Sequence, residues 1–303
     1  MVIHHTVSLF TIRAKYLLGA LGISLFSISL QAEEVNVVLI GGQSNATGQG
    51  YVRNIPDSFK TNEHVTLYYS KYLKGPRNAE QCVPLSPASE SPDRFGVELS
   101  LGTSLQAQFP NKRWALIKHA LSGSNLYSQW NPGKSATDTQ GPEYVKFIQT
   151  VRQGLQALKQ RGDTPVIKAM VWQQGEADAR DIAGMGVSKA YGTNLKHLIE
   201  RLREDLQTPD MWFVYGSVLP VPDQKRFPGR ETVLQCQKDV AASGKTPLST
   251  SKAIHVPAGD LQLRSTDYRT PHPGDTIHLG TYGILTLGER FANALKKEWE
   301  KQP

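Results

Sequence analysis

A chain of 303 residues with 34 Lys and Arg against 27 Asp and Glu carries a formal net charge of +7. Its bases are scattered, with no arginine-rich tract and no aromatic–basic ladder, so the charge describes a mildly basic surface and not a nucleic-acid-binding one. The only cysteines are Cys82 and Cys236, with no Cys-x-x-Cys, which excludes a cysteine-built zinc site.

Arg13 and Lys15 precede an uncharged, largely apolar segment from Tyr16 to Leu30, and Gln31, Ala32 and Glu33 follow. A charged start, an apolar middle and a cut after Ala32 read as a secretory signal peptide over residues 1–32; the middle is short and rich in Ser and Gly for a membrane span. In an exported protein the two cysteines are open to pairing, which would close a loop of about 150 residues; two free thiols are the other reading. Residues 33–303 suit one α/β domain with a full core.

The first strand of that domain is Val37 to Ile40, a continuous apolar run ending in Gly41 and Gly42, with Ser44 the first hydroxyl beyond it. Val65 to Tyr69 reads as a second strand. Residues 70–95, rich in Pro, Ser and charge, read as a long surface excursion. Leu101, Leu105 and Phe109 mark a helix that starts near Phe95 and stops at Pro110. Trp114 to Ile117 is the next strand, leading into His119 and the Gly123-Ser124-Asn125-Leu126 turn. A helix follows on Tyr144, Phe147, Ile148, Val151, Leu155 and Leu158, then a strand from Val166 to Trp172.

Tyr191 to Leu206 gives another amphipathic helix, and Met211 to Tyr215 a strand broken at Pro220. A helix from Arg230, a short strand from Ala253 to Val256 and a closing helix from Thr281 to Lys297 complete the chain. Strands alternating with helices predict a parallel sheet covered on both faces.

In such sheets functional groups gather beyond the carboxyl ends of the strands. Four clusters stand there or just before the last helix: Ser44; Gly123 with Asn125; Gln174 with Glu176; and Asp275 with His278. Acyl transfer by serine needs a hydroxyl, an imidazole to take its proton and a carboxylate to orient the imidazole, and Asp275-x-x-His278 can supply the last two from one bent turn. The residues allow plainer readings. Ser44 can cap a helix, and Asp178 can stabilise a helix start. Asn125 can shape its turn, and His119 and His255 suit core positions. Trp130 can pack in the core or stack on a sugar. The Gly41–Gly48 stretch lacks the pattern of a phosphate loop.

Gly42-Gln43-Ser44-Asn45, Trp172-Gln173-Gln174-Gly175-Glu176-Ala177-Asp178 and Asp275-x-x-His278 resemble the signatures of the SGNH hydrolase superfamily. More narrowly, they resemble the sialate O-acetylesterase-like and family-six acetyl xylan esterase group of carbohydrate esterases. The resemblance implies a three-layer α/β/α, flavodoxin-like fold with a central parallel sheet and a secreted or periplasmic serine esterase. It would remove acetyl groups from acetyl xylan or sialic-acid-like carbohydrates without a metal or other cofactor.

The resemblance carries over Ser44 as nucleophile, His278 as base and then acid, and Asp275 as its orienter. Glu176 is implied as a competing or additional acid. The implied oxyanion hole is the Ser44 and Gly123 N–H groups with the Gln174 side-chain amide; Asn125 and Trp130 are the expected substrate contacts. A lipase with a longer acyl group, or a non-catalytic sugar binder on the same scaffold, are the other readings.

Overall fold

The computed structural model describes residues 33–135, 137–181, 186–219 and 225–301. The leader-like residues 1–32 and the expected strand break at Pro220 lie outside them.

The chain opens with β1 (Glu34–Gly42), the one-turn helix α1 (Ser44–Thr47) and the short strand β2 (Gly50–Tyr51). Next come β3 (Thr66–Tyr69), β4 (Val83–Pro84), β5 (Arg94–Phe95), α2 (Glu98–Gln108) and β6 (Arg113–Lys118). The middle holds α3 (Pro142–Gln160), β7 (Thr164–Gln173), α4 (Glu176–Ala179) and α5 (Val187–Asp205). β8 (Trp212–Gly216), α6 (Arg230–Val240), β9 (Ala253–Val256) and α7 (Thr281–Trp299) complete it. α3 begins with Pro142 in its first turn, where a missing N–H costs nothing.

One sheet runs β4-β3-β6-β1-β7-β8-β9. All its pairings are parallel except β3 with β4. The antiparallel edge departs from the all-parallel expectation for a local reason. Val83–Pro84 is too short to show a period, and Pro84 is tolerated because β4 is an edge strand. β1 lies in the middle with β6 on one side and β7 on the other, so the chain changes direction across the sheet beside its carboxyl end.

Alternate residues of β1 feed two separate cores. Val37 and Leu39 pack with Phe147, Tyr191 and Val233 of α3, α5 and α6. Val38 and Ile40 pack with Leu101, Leu105, Ile284 and Phe291 of α2 and α7. A strand buried on both faces explains why its apolar run does not alternate with polar residues. The result is the expected three-layer α/β/α arrangement. Among the described residues no helix is long and apolar enough to cross a membrane.

Residues 70–95 are not a free surface excursion. Leu73, Leu85, Ala88 and Ser89 are buried, and β5 pairs with β2 so that Phe95 sits opposite Gly50. Isolated apolar residues without a period leave no sequence signal for such packing. Cys82 and Cys236 are both free thiols, the first beside the edge strand β4 and the second on α6, so no disulfide joins them.

Candidate active site

The turn from β1 into α1 needs its glycine. Gly42 has φ +133, and a Cβ there would lie 2.2 Å from the Gln173 carbonyl oxygen. The tight turn leaves Ser44 at the first position of α1, above the switch point of the sheet.

The Oγ of Ser44 lies 2.9 Å from Nε2 of His278, whose Nδ1 lies 2.8 Å from Oδ2 of Asp275. Oδ1 of Asp275 accepts the N–H groups of Ile277 and His278 at 3.2 and 3.1 Å, so the loop before α7 folds round its own carboxylate. Burial pushes the Asp275 carboxyl up, but the hydrogen bond and charge of His278, with those two N–H groups, outweigh it and hold the group well below the usual carboxylate range.

Asn45 ties the serine and histidine segments together. Its amide donates to Oε1 of Glu176 and to the Ile277 carbonyl, both at 3.2 Å, and its Oδ1 accepts the N–H of Leu279 at 2.9 Å. A buried ion pair holds the other end of α1. Nζ of Lys118 lies 2.6 Å from Oε2 of Glu98 with both side chains fully buried, and it also donates to the Thr47 carbonyl at 2.9 Å.

Ser44, Gly123, Gln43, His278 and Glu176 all line one cavity of about 360 Å³, open to solvent. Gly123 has φ +74. The N–H groups of Ser44 and Gly123 have no acceptor among the described residues. Oε1 of Gln43 accepts the N–H groups of Gly175 and Ala177 at 3.4 and 3.1 Å. Backbone N–H groups are donors without ambiguity, so the Gln43 amide is oriented with its NH₂ turned away from them.

Residues 34–297 match the sequence profile of the family described as carbohydrate esterase, sialic acid-specific acetylesterase. The chain belongs to this carbohydrate esterase family. A probable carbohydrate esterase of Arabidopsis thaliana is 30% identical over 128 residues, 42% of this chain and 40% of the relative's own length. The X-ray structure of that plant protein superposes with a TM-score of 0.62 at 17% identity, over 87% of this chain and 98% of that one. NanS superposes with a TM-score of 0.67 at 15% identity, over 89% and 99%. A carbohydrate acetylesterase of Xanthomonas citri does so at 0.56 and 15%, over 85% and 55%. At these identities the likeness is one of fold, the SGNH-type α/β hydrolase fold.

Three positions expected in the site of this family member lie elsewhere. The Gln174 amide is fully buried and donates to Oε1 of Gln43, the Ser124 carbonyl and Oδ2 of Asp178 at 3.1, 3.2 and 2.5 Å, so its hydrogens are spent inside the fold. It is a brace behind Gln43 and not a donor into the cavity. Oδ1 of Asn125 accepts the N–H groups of Ser128 and Gln129 at 2.7 and 3.3 Å, which makes it a turn former. Trp130 has no exposed surface; its ring meets Trp172 edge-on at 4.9 Å and its Nε1 donates to Oγ of Ser124 at 2.8 Å. It is core packing and not a sugar platform.

Glu176 is in the cavity wall, but the imidazole Nδ1 is taken by Asp275. Burial pushes the Glu176 carboxyl up, and its Oε2 has no partner among the described residues. Asp178 is buried; its carboxylate accepts the N–H groups of Leu126 and Tyr127 at 2.8 and 3.0 Å, which anchors the turn that presents Gly123. Burial also raises this carboxyl, to about 6. His119 is a core histidine, as expected, between Oγ of Ser70 and Oε2 of Glu143 at 2.9 and 3.1 Å, whereas His255 is half-buried, 2.9 Å from Oγ of Ser217.

The sequence reading missed Gln43 as a group facing the cavity, although it stands inside the Gly-Gln-Ser-Asn motif. It also missed the arginines of the cavity wall, Arg94, Arg180, Arg226 and Arg264, which come from separate segments of the chain with no shared spacing.

Proposed function

We propose that this chain is a serine O-acetylesterase acting on acetylated carbohydrates. The observation that carries the reading is the unbroken chain from Oγ of Ser44 through His278 to Asp275, at 2.9 and 2.8 Å, on the wall of an open cavity. Ser44 Oγ attacks the acetyl carbonyl while Nε2 of His278 takes its proton. The carbonyl oxygen becomes an oxyanion held by the N–H groups of Ser44 and Gly123 and by the NH₂ of Gln43, donors typically worth about 3 kcal/mol each to the barrier. His278 then gives its proton to the departing sugar oxygen, leaving an acetyl-enzyme. Water, deprotonated by His278, releases acetate and restores Ser44.

Membership of a carbohydrate esterase family supports the sugar substrate. The modest cavity, lined mainly by polar and charged residues, supports a short acyl group over a lipid chain. The complete triad favours an enzyme over a sugar-binding scaffold. Export rests on the leader-like residues 1–32, and the mature secreted protein is expected to begin at Glu33 on N-terminal sequencing.

The test of the catalytic reading is hydrolysis of 4-nitrophenyl acetate by wild type and Ser44→Ala. Wild type should turn it over and label with a serine-directed phosphonate; Ser44→Ala should lose about 10³-fold or more in kcat with its circular dichroism unchanged. Equal rates in the two proteins would remove the proposal.

A further inference from the structure

Between β9 and α7 the chain has one regular element, the 3₁₀ turn Arg264–Thr266, yet this irregular stretch carries both Asp275 and His278. An acid and a base on such a loop need anchors, because proton transfer tolerates little misplacement. The turn at Arg264 supplies some of them through its backbone. The N–H of Arg264 donates to the His278 carbonyl at 2.7 Å, and that of Ser265 to the Asp275 carbonyl at 2.9 Å.

The side chain of Arg264 adds a second set of contacts. It is only 4% exposed, although it belongs to the cavity wall. Nη1 donates to Oδ2 of Asp275 at 3.4 Å and to Oε1 of Gln49 at 3.3 Å, and Nε donates to Oη of Tyr51 at 2.9 Å. The centre of the Tyr51 ring lies 5.0 Å from the guanidinium carbon. Gln49 and Tyr51 are themselves buried, and Gln49 is held by Arg94 at 2.7 Å and Glu90 at 2.9 Å. Both belong to the segment directly after α1, the helix that begins with Ser44. One guanidinium therefore ties the carboxylate of the triad to the chain that leaves its nucleophile.

The contact to Asp275 is long for a hydrogen bond, so charge is the main thing it supplies, and burial strengthens that charge. Oδ2 also lies 2.8 Å from Nδ1 of His278, and an ionised carboxylate oxygen can accept from both. Oδ1 is taken by the N–H groups of Ile277 and His278. Held on both oxygens, the carboxylate has little freedom to turn from the imidazole. Burying a guanidinium is unfavourable unless it is fully paired, and Nη2 has no partner among the described residues. A neutral side chain would fill the place without that penalty, which points to a task for the charge.

We propose that Arg264 is a positioning residue, one that keeps the Asp275 carboxylate turned to Nδ1 of His278 and seats the loop of both against Gln49 and Tyr51. It acts through Asp275, since among the described residues it makes no hydrogen bond to Ser44 or to the His278 ring. The inference rests on the esterase reading and adds to it the group that holds its acid in place.

Hydrolysis of 4-nitrophenyl acetate tests it, because that ester has no sugar for an arginine to contact. Arg264→Gln should lower kcat by about 10- to 100-fold with KM within about threefold, and Arg264→Lys should regain part of the loss. The deciding measurement is a double-mutant cycle with Asp275→Asn. A group that acts through Asp275 has little left to do once that carboxylate is gone. In the Asp275→Asn background, Arg264→Gln should therefore lower kcat by no more than about threefold. Circular dichroism checks each fold. Where Arg264→Gln does not fold, Arg264→Lys takes its place, because one Nζ cannot serve Tyr51, Gln49 and Asp275 together. Its loss in kcat should then exceed about threefold alone and vanish beside Asp275→Asn.

Unchanged kcat in Arg264→Gln would overturn the proposal, as would a loss that multiplies with that of Asp275→Asn. Neither result touches the esterase reading, which stands or falls on hydrolysis of 4-nitrophenyl acetate by wild type and its loss in Ser44→Ala.

Discussion

Asp275 and Glu176 are two carboxyl groups beside one imidazole, and their surroundings drive them apart. Asp275 has the imidazole and two backbone N–H groups to favour its charge, whereas Glu176 is fully buried with one amide donor and an unpartnered oxygen. Their neutral isosteres should therefore behave differently. Asp275→Asn should lower kcat by about 10³–10⁴-fold, because the imidazole loses its orienting charge. Glu176→Gln should stay within about threefold, since it keeps the Asn45 contact and resembles the neutral form that burial favours. Steady-state kinetics on one aryl acetate separates the two.

The linkage signs are also opposite. Glu176 is raised, so its contribution to stability is full below the ordinary glutamate value and is lost as pH rises above it; Glu176→Gln should flatten that fall. Asp275 is lowered, so its contribution is present above the ordinary aspartate value and lost as pH falls towards its depressed value; Asp275→Asn should flatten that loss. Urea unfolding between pH 3 and 8 would read both, on the usual scale of carboxylate titration. At this scale Ser44, Asp275 and His278 were legible, because their order and spacing are local. Arg180 and Arg226 were not, because the ring of Phe227, which both approach, brings together segments that no motif links.

At the scale of elements, the one-turn helices after the strands do more than their length suggests. Gly175 has φ +144 and starts α4, which delivers Asp178 to the turn carrying Gly123. Asp178→Asn puts an NH₂ where the Asp178 carboxylate meets three donors. It should cost about 1–3 kcal/mol of stability, measured by denaturant unfolding, and about 10²–10³-fold in kcat as the Gly123 N–H drifts from the oxyanion.

Lys118 supports α1 from below. Replacing it by Met leaves Glu98 charged and buried without its partner, a change expected to cost about 3–5 kcal/mol. Adding Glu98→Gln should recover part of that loss, because the Gln oxygen can still accept the N–H groups of Gly96 and Ala88, which lie 2.9 and 3.1 Å from Oε1. The long helices and central strands were legible from their periods. β2, β4 and β5 were not: two residues each carry no period, and only pairing defines them.

At the scale of the molecule, β1 sits at the centre of the sheet and the chain turns to either side of it, which places Ser44 above the switch point. The same topology keeps the cysteines unpaired, Cys82 by the edge strand and Cys236 on α6. The denatured, unreduced protein should therefore titrate with two thiols under Ellman's reagent; none would mean the pair is oxidised after all.

By itself the sequence determined the alternation of strands and helices and singled out Ser44, Asp275 and His278, because apolar runs, helical spacing and short motifs are properties of neighbouring residues. Only the tertiary structure decided that Gln43 and not Gln174 lines the cavity, that Trp130 is core, that Asp275 and not Glu176 holds the imidazole, and that Arg180 and Arg226 stand near the same ring. Those outcomes depend on where side chains point once segments far apart in the chain are packed together, and one sequence carries no local mark of that.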